Sequence, residues 1–179
     1  MRVCNLGQAA IGFPKANRAS GVHLSGLIQA VMQAMGKYWP DERTHESDCR
    51  MAMGLAWERY YAEYCMDPGW HYQPGEFEFE GIYFNPDMID WKRRVVGEVK
   101  TTSRRPPLNM ESQTRWLLQL QGELWAIGRG TWLDAEVHVL HIQYPQQSLV
   151  YGLRFEPEEL ERTWAMLMRY RDCAIPEQH

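Results

Sequence analysis

The chain has 179 residues, of which 45% are hydrophobic and 23% are charged, and its formal net charge at pH 7 is −4. This composition is typical of a folded globular protein and excludes a disordered or collagen-like chain. No apolar run is long enough to span a membrane, and the N-terminal residues lack the apolar stretch of a signal peptide. An acidic chain is also unsuited to coating nucleic acid over its whole surface. We therefore expect a single domain over residues 1–179, located in the cytoplasm and without a membrane partner.

The N-terminal part of the chain is predicted to be helical after an irregular arm over residues 1–22. A first helix is expected over residues 26–35, with Ser25 as its N-cap. A second helix is expected over residues 47–65, because the turn pair Pro68-Gly69 follows it closely. His23 and Ser25 could contact a metal or another ligand, but a surface histidine and a capping serine are the favoured interpretations.

An acidic residue interrupts the apolar face of the second predicted helix. That face is formed by Met51, Leu55, Ala62 and Cys65. Glu58 lies seven residues after Met51, in the middle of the same face. A carboxylate that points inwards is costly unless it meets a cation or a hydrogen-bond donor. We therefore expect Glu58 to have such a partner, which is either a group in a functional site or an interior arginine.

The remainder of the chain alternates between strand and helix patterns. Strands are predicted where apolar and polar residues alternate, and helices where apolar residues recur with helical spacing. The predicted strands cover residues 76–80, 82–89, 95–101, 136–143 and 149–155, and the predicted helices cover residues 111–127 and 157–173. The order α, α, β, β, β, α, β, β, α predicts an α/β fold with a central mixed β-sheet flanked by helices.

The predicted hairpin over residues 82–101 brings charged residues together. If its turn is centred between Lys92 and Arg93, Asp87 lies directly opposite Glu98. Directly opposed residues have Cβ atoms roughly 4.5–5.5 Å apart. Lys100 shares the face of Glu98, because side chains two residues apart point to the same side of a strand.

Two carboxylates and a lysine at this spacing allow two interpretations. Two close carboxylates stay ionised only beside a cation, and oxygen ligands favour a hard cation such as Mg²⁺ or Mn²⁺. A nearby lysine could then stabilise the charge that develops during phosphodiester hydrolysis. The alternative is a surface hairpin with a simple salt bridge, and the spacing alone leaves both interpretations open.

The long helix over residues 111–127 carries an amide on its apolar face. Gln121 lies four residues after Leu117 and three after Leu118, and a buried amide needs hydrogen-bond partners. Its partner could be Lys100, a water at a metal site, a substrate phosphate, or simply a strand. Gln119 points to the flank of this helix and is the weaker candidate.

Two further groups of polar residues could contact a ligand. His138 and His141 resemble a metal-binding pair, but on a strand their odd spacing places them on opposite sides, so we expect no metal there. Basic residues flank the predicted hairpin, and of these Arg104 and Arg105 come just after the strand of Lys100. Their charge and position suit contacts with phosphate groups, whereas the cluster Lys92-Arg93-Arg94 is expected to be a solvated turn.

Several segments resemble nucleases of the PD-(D/E)xK superfamily. Pro86-Asp87 is followed after ten residues by Glu98-Val99-Lys100, as in the signature of that superfamily. The segment from Gly54 to Glu58 resembles the Gly/Glu-bearing helix of lambda-type phage exonucleases. The segment from Gln121 to Trp125 resembles the glutamine–tyrosine motif of RecB-type nucleases, with tryptophan in place of the tyrosine.

The resemblance implies a fold and a set of residue roles. It implies a restriction-endonuclease-like core over residues 47–143, with an N-terminal arm and helix over residues 1–46 and a C-terminal strand and helix over residues 149–173. The implied ligands of Mg²⁺ or Mn²⁺ are Asp87, Glu98, the carbonyl of Val99 and Glu58, with Asp90 as a fallback. Lys100 would orient or activate the attacking water, and Gln121 would support the lysine or the substrate.

The resemblance also implies a function. It implies a metal-dependent nuclease that cleaves DNA by in-line attack of water and leaves 5′-phosphate products. An exonuclease of phage or recombination type, acting in a bacterium or a phage-infected host, is the favoured version. The alternatives are a structure-specific or restriction-type endonuclease and a catalytically silent DNA-binding protein. Whether the chain forms a homo-oligomer or works with a single-strand annealing partner stays open.

Overall fold

The computed structural model describes residues 20–37 and 45–171. The helices are α1 Leu24–Ala34, α2 His45–Tyr64, α3 Thr114–Gly128 and α4 Pro157–Met168. The strands are β1 Val22–His23, β2 His71–Tyr72, β3 Phe77–Phe79, β4 Ile82–Phe84, β5 Met88–Asp90, β6 Val95–Thr102, β7 Asp134–His141 and β8 Leu149–Arg154. Over the described ranges, no helix combines the length and the apolar character needed to cross a membrane.

The strands form two sheets that sit beside each other. The larger sheet has five strands in the order β2-β5-β6-β7-β8, and the smaller one has three strands in the order β1-β4-β3. β6 and β7 run parallel over their whole lengths, from the pair Val95↔Asp134 to the pair Thr102↔His141. The other neighbours in the larger sheet are antiparallel. The predicted α/β architecture with a mixed sheet flanked by helices is therefore correct.

Helices cover both faces of the larger sheet. One face packs Val99 of β6 and Leu140 of β7 against Trp57 and Tyr61 of α2. The opposite face buries β6 and β7 beneath α3 and α4, in a cluster formed by Val96, Leu120, Leu124, Ala135, Val137, Val139, Phe155 and Leu160. Because β6 is covered on both sides, its residues from Val95 to Val99 are all buried.

The hairpin of β5 and β6 has the predicted register. Met88 pairs with Gly97 and Asp90 pairs with Val95, which is the register of a turn centred between Lys92 and Arg93. The predicted continuous strand over residues 82–89 is wrong, however, because it is divided into β4 and β5. Proline has no N–H to donate to a sheet, so the chain leaves the smaller sheet before Pro86 and enters the larger sheet after it.

Helix α2 is placed as predicted, but its buried side is not the predicted one. Met51 and Leu55 are 46% and 49% exposed, so the proposed apolar stripe faces outwards. The helix instead approaches the sheet through Gly54, where a Cβ atom would lie 2.8 Å from Thr101 Oγ1. Glu58 follows Gly54 by four residues and is half-buried on this inner side.

Several predicted boundaries also require correction. The first helix begins at Leu24 with His23 as its N-cap, so Ser25 is not the cap. α3 begins at Thr114, because the three residues Met110–Ser112 form a separate 3₁₀ helix. The short strands β1 and β2 were not predicted. Residues 1–19 of the predicted arm, and the predicted end of the last helix at Cys173, lie outside the described residues.

We expect Gly97→Ala to destabilise the protein by about 1–3 kcal/mol, the usual cost of overpacking a core. A Cβ atom at Gly97 would lie 2.7 Å from Met88 Cγ and 2.9 Å from Trp70 Cζ3. Gly152→Ala in β8 is the matched control, because no heavy atom lies within 4 Å of a Cβ atom there. Urea unfolding of both variants would measure the difference, and equal stabilities would contradict the packing described here.

Candidate active site

A polar cleft of about 210 Å³ opens beside β6, where β4 gives way to β5. Its walls come from both sheets and from helices α1 and α3. The lining residues are His23, Leu24, Ser25, Tyr83, Phe84, Asn85, Asp87, Glu98, Lys100, Gln119 and Glu123. Asp87, Glu98 and Lys100, which the sequence placed together, thus line one cleft.

Asp87 is held beside Glu98 by the hairpin register. It immediately precedes Met88, which pairs with Gly97, so Asp87 and Glu98 are neighbours across the two strands. The Asp87 carboxylate accepts a hydrogen bond of 2.9 Å from the backbone N–H of Val99 through Oδ2. This bond fixes the aspartate against β6 although Asp87 itself lies outside the regular strand.

Lys100 forms an ion pair with Glu98 on the same face of β6. The Lys100 ammonium donates to Glu98 Oε1, and the Glu98 side chain is only 1% exposed. Burial raises the pKa of Glu98 and the Asp87 charge raises it further, while the Lys100 charge opposes both. Burial lowers the pKa of Lys100, but the charges of Glu98 and Asp87 outweigh that effect, so the pKa is raised and the lysine stays protonated.

Helix α3 adds an amide and a further carboxylate to the cleft. Gln119 Nε2 donates to Glu98 Oε2 at 2.9 Å and to Glu123 Oε1 at 3.1 Å. Glu123 is 1% exposed, and its Oε2 has no hydrogen-bond partner among the described residues. Burial and the nearby Glu98 charge raise the pKa of Glu123 well above its usual value. Gln119 was the weaker sequence candidate and Glu123 was missed, although their spacing of four residues places them on one helix face.

Gln121 does not reach this cleft, so its predicted place in the site is wrong. Its Nε2 donates to Glu159 Oε1 at 2.6 Å, and its Oε1 accepts from Thr163 Oγ1 at 3.0 Å. Both partners belong to α4. With 3.6 residues per turn, a residue two positions after Gln119 points to nearly the opposite side of the helix. The buried amide has partners, as expected, but on the other side of α3.

Glu58 lies at the rim of the site, on the inner side of α2. It accepts a hydrogen bond of 3.0 Å from the Tyr72 hydroxyl. Burial and the Asp87 charge raise the pKa of Glu58, whereas the Tyr72 bond and the Lys100 charge lower it. Glu58 is therefore close enough to share the electrostatic field of the cleft, although it does not line the cleft itself.

The fallback ligand Asp90 belongs to a separate ion-pair network. The Arg93 backbone N–H donates to Asp90 at 2.8 Å, and the Arg93 side chain bridges Asp90 to Glu136. Arg93 also lies over the Trp70 ring, with its Cζ 4.8 Å from the ring centroid. The Asp90 carboxylate and the Arg93 guanidinium therefore already have partners within this network. Arg93 is therefore part of a structural network and not only of a solvated turn, which corrects the prediction for that cluster.

The histidines differ from one another in their surroundings. His138 contacts the Tyr61 hydroxyl at 2.6 Å on the α2 side of the sheet, whereas His141 donates to the Arg104 carbonyl at 2.8 Å. They point to opposite sides of β7, as predicted. The expectation of a surface histidine at His23 is wrong, because His23 is 4% exposed and lines the cleft.

Arg104 and Arg105 are exposed just beyond the end of β6.

The donor chemistry of the cleft suits a hard divalent cation. Asp87 acts electrostatically on Glu58, Glu98 and Glu123, and the Lys100 ammonium acts on all four carboxyl groups. Carboxyl groups therefore outnumber ammonium groups here, and Glu123 Oε2 has no hydrogen-bond partner in the part of the chain that the structure describes. Within the described ranges, no three carboxylate, imidazole or thiol groups are already arranged around one point as metal ligands. The Lys100 ammonium occupies Glu98 Oε1 in this arrangement.

Comparison with known proteins shows a shared fold. Neither a protein-family model nor a curated protein matches this chain. The structure is similar to the crystal structure of SSO0001, with a TM-score of 0.52 and 12% identity, covering 92% of this chain and 82% of that one. It is also similar to the crystal structure of a phage-related exonuclease from Haemophilus somnus 129PT, with a TM-score of 0.51 and 11% identity, covering 86% of this chain and 94% of that one. The chain thus has the mixed α/β fold of a nuclease structure.

We expect the protein without divalent cations to lose stability as the pH rises above the usual carboxyl range. The folded-state pKa values of Glu98 and Glu123 lie above the ordinary value of 4.5. Their contribution to stability is therefore fully present below the unfolded-state pKa and is lost as the pH rises through the folded-state pKa. Urea unfolding in EDTA across this pH range would measure the loss.

Glu123→Gln should reduce this pH dependence. At about pH 7 it should also raise the free energy of unfolding by about 1 kcal/mol or more, because an amide, unlike the Glu123 carboxyl group, has no ionised form that the unfolded state favours. Glu161→Gln on the exposed side of α4 is the control and should change neither quantity. A stability of Glu123→Gln below that of the original chain would contradict the electrostatic description of the cleft.

Proposed function

We propose that this chain is a metal-dependent DNA nuclease that hydrolyses phosphodiester bonds, most simply as an exonuclease. The observation that carries the proposal is the convergence of Asp87, Glu98 and Lys100 in one polar cleft. The similarity of the fold to a phage-related exonuclease supports it. Buried charges of this kind are costly to a protein, and a set with excess carboxylates is more useful for binding a cation than for stability.

The residues of the cleft have distinct roles in the proposed reaction. Asp87, Glu98 and the Val99 carbonyl would hold Mg²⁺ or Mn²⁺, with Glu58 contributing negative charge from the rim. Such a cation lowers the pKa of water and neutralises charge on the phosphate when it is bound. Lys100 would stabilise the negative charge that develops on the scissile phosphate. Gln119 would hold the Glu98 carboxylate in position through its amide.

The exposed residues Arg104 and Arg105 would contact the DNA backbone. Arginine pairs well with phosphate oxygens, and such contacts position DNA without reading its sequence. The Arg104 carbonyl is held by His141, which ties this loop to the end of β7. This placement allows a phosphate contact beyond the end of the strand that carries Lys100.

A cleavage assay tests the proposal directly. End-labelled single-stranded and double-stranded linear DNA and a closed circle would each be incubated with Mg²⁺, Mn²⁺ or EDTA. We expect metal-dependent degradation of linear DNA, and a loss of about a hundredfold or more in Lys100→Ala, the scale for removing a charge-stabilising group. Lys37→Ala, an exposed lysine that bonds Thr114, is the matched control and should retain the rate.

Each other outcome of this assay has a defined meaning. Nicking of the closed circle would replace the exonuclease proposal with an endonuclease. Binding of DNA without cleavage under any metal would overturn the enzymatic proposal and leave a DNA-binding protein with this fold. Cleavage that survives Lys100→Ala would exclude the cleft as the active site.

We expect the two glutamines of α3 to have different effects when each is replaced by leucine. Gln119→Leu should lower the cleavage rate, because Glu98 loses the amide that holds it. Gln121→Leu should instead cost about 1–3 kcal/mol of stability, because Glu159 and Thr163 lose their buried partner. Rates per folded molecule and urea unfolding would separate the two, and a rate loss in Gln121→Leu alone would contradict this assignment.

A further inference from the structure

The cleft contains two fully buried glutamates but a single bound ammonium. Glu98 and Glu123 are each 1% exposed, and Lys100 donates to Glu98. Glu123 receives only the Gln119 amide, which it shares with Glu98, and its Oε2 has no partner among the described residues. A buried carboxylate oxygen without a donor is unfavourable, so its presence requires an explanation.

Glu98 and Glu123 are close enough for the Lys100 ammonium to move from one carboxylate to the other. Both accept from the same nitrogen, Gln119 Nε2, at 2.9 Å and 3.1 Å. Lys100 and Glu123 line the same cleft, and the lysine charge acts on Glu123. A lysine ammonium has three donors on a flexible four-carbon stem, so it can change acceptors without movement of the backbone.

Cation binding creates a need for a second acceptor. A divalent cation on Glu98 competes with the Lys100 ammonium for the same carboxylate. The Lys100 side chain is 25% exposed and otherwise buried, so an ammonium displaced from Glu98 is stabilised by another negative partner. Glu123 lines the same cleft as Lys100 and offers an oxygen that has no donor among the described residues.

We propose that Glu123 is a positioning residue that accepts the Lys100 ammonium when a divalent cation takes the place of this ammonium on Glu98. This inference rests on the proposed nuclease function. The exchange gives Glu123 Oε2 a hydrogen-bond partner. It also keeps the Lys100 ammonium in the cleft, where the ammonium can act on a phosphate. It also distinguishes Glu123 from the carboxylates that hold the cation.

A double-mutant cycle on Mn²⁺ affinity tests the exchange without using activity. Calorimetric titrations would compare the original chain, Glu123→Gln, Lys100→Met and the double variant, with the exposed Glu161→Gln as control. We expect Glu123→Gln to weaken Mn²⁺ binding roughly tenfold or more, as expected for loss of a charge-assisted hydrogen bond. In the Lys100→Met background the same substitution should have little effect, because no ammonium needs a new acceptor.

Two results of the cycle would overturn the inference. Equal weakening in both backgrounds would mean that Glu123 binds the cation itself. No weakening in either background would mean that Glu123 takes no part in cation binding. In both cases Mn²⁺ binding and DNA cleavage by the original chain would leave the proposed function intact. Absence of both in the original chain would overturn the proposed function together with this inference.

A spectroscopic measurement covers the case in which Lys100→Met fails to fold. Nitrogen-15 NMR of the lysine ammonium groups would be recorded with and without Mg²⁺, and Lys100→Arg would assign the Lys100 signal by its loss. We expect the signal to shift on addition of Mg²⁺ and to remain protected from exchange with water. In Glu123→Gln it should instead broaden through exchange when Mg²⁺ is added. Identical behaviour of the two proteins would overturn the inference.

Discussion

The crowding of carboxylates around one lysine ammonium is the constraint on which the rest of the site depends. Glu98 and Glu123 are fully buried, and removing such groups from water costs several kcal/mol for each ion even after relaxation. A flexible scaffold would relieve this repulsion by separating the carboxylates. β6 cannot do so easily, because it pairs with β5 on one side and over its whole length with β7 on the other. The rigid centre of the sheet therefore stabilises a charge arrangement that is unfavourable in itself.

The cleft exists because the chain changes sheets between β4 and β5. Pro86 is buried at this break, and Asp87 follows it as the first residue beside the larger sheet. A continuous strand would have carried Asp87 along one flat surface. The change of sheet instead brings Tyr83 of the smaller sheet and Lys100 of the larger sheet to the same cleft. The same proline that marks the sequence motif thus also shapes the space in which the proposed chemistry takes place.

Local pairing explains which parts of the fold and the site could be predicted from the sequence. The register of β5 and β6 depends on one short turn, so the neighbourhood of Asp87, Glu98 and Lys100 followed from residue spacing. Glu58 was placed on the inner side of its helix for a wrong reason. The predicted buried face of the helix was the apolar face that includes Met51. In the structure, close contact of Gly54 with Thr101 determines the buried side. A glycine has no side chain for a hydropathy pattern to detect, so this contact could not be predicted.

Helix α3 shows where sequence reasoning fails for the site itself. Almost every residue from Leu118 to Leu124 is buried, because β6, α1 and α4 surround the helix. A helix buried on several sides has no solvent face against which polar positions can be read. The sequence pattern therefore favoured Gln121 over Gln119, whereas their neighbours in the structure place Gln119 in the site. Gln121 meets a glutamate and a threonine of α4, whereas Gln119 meets the glutamates of the cleft. Because these neighbours come from distant parts of the chain, the three-dimensional packing of α3, and not its own pattern, determines which glutamine belongs to the site.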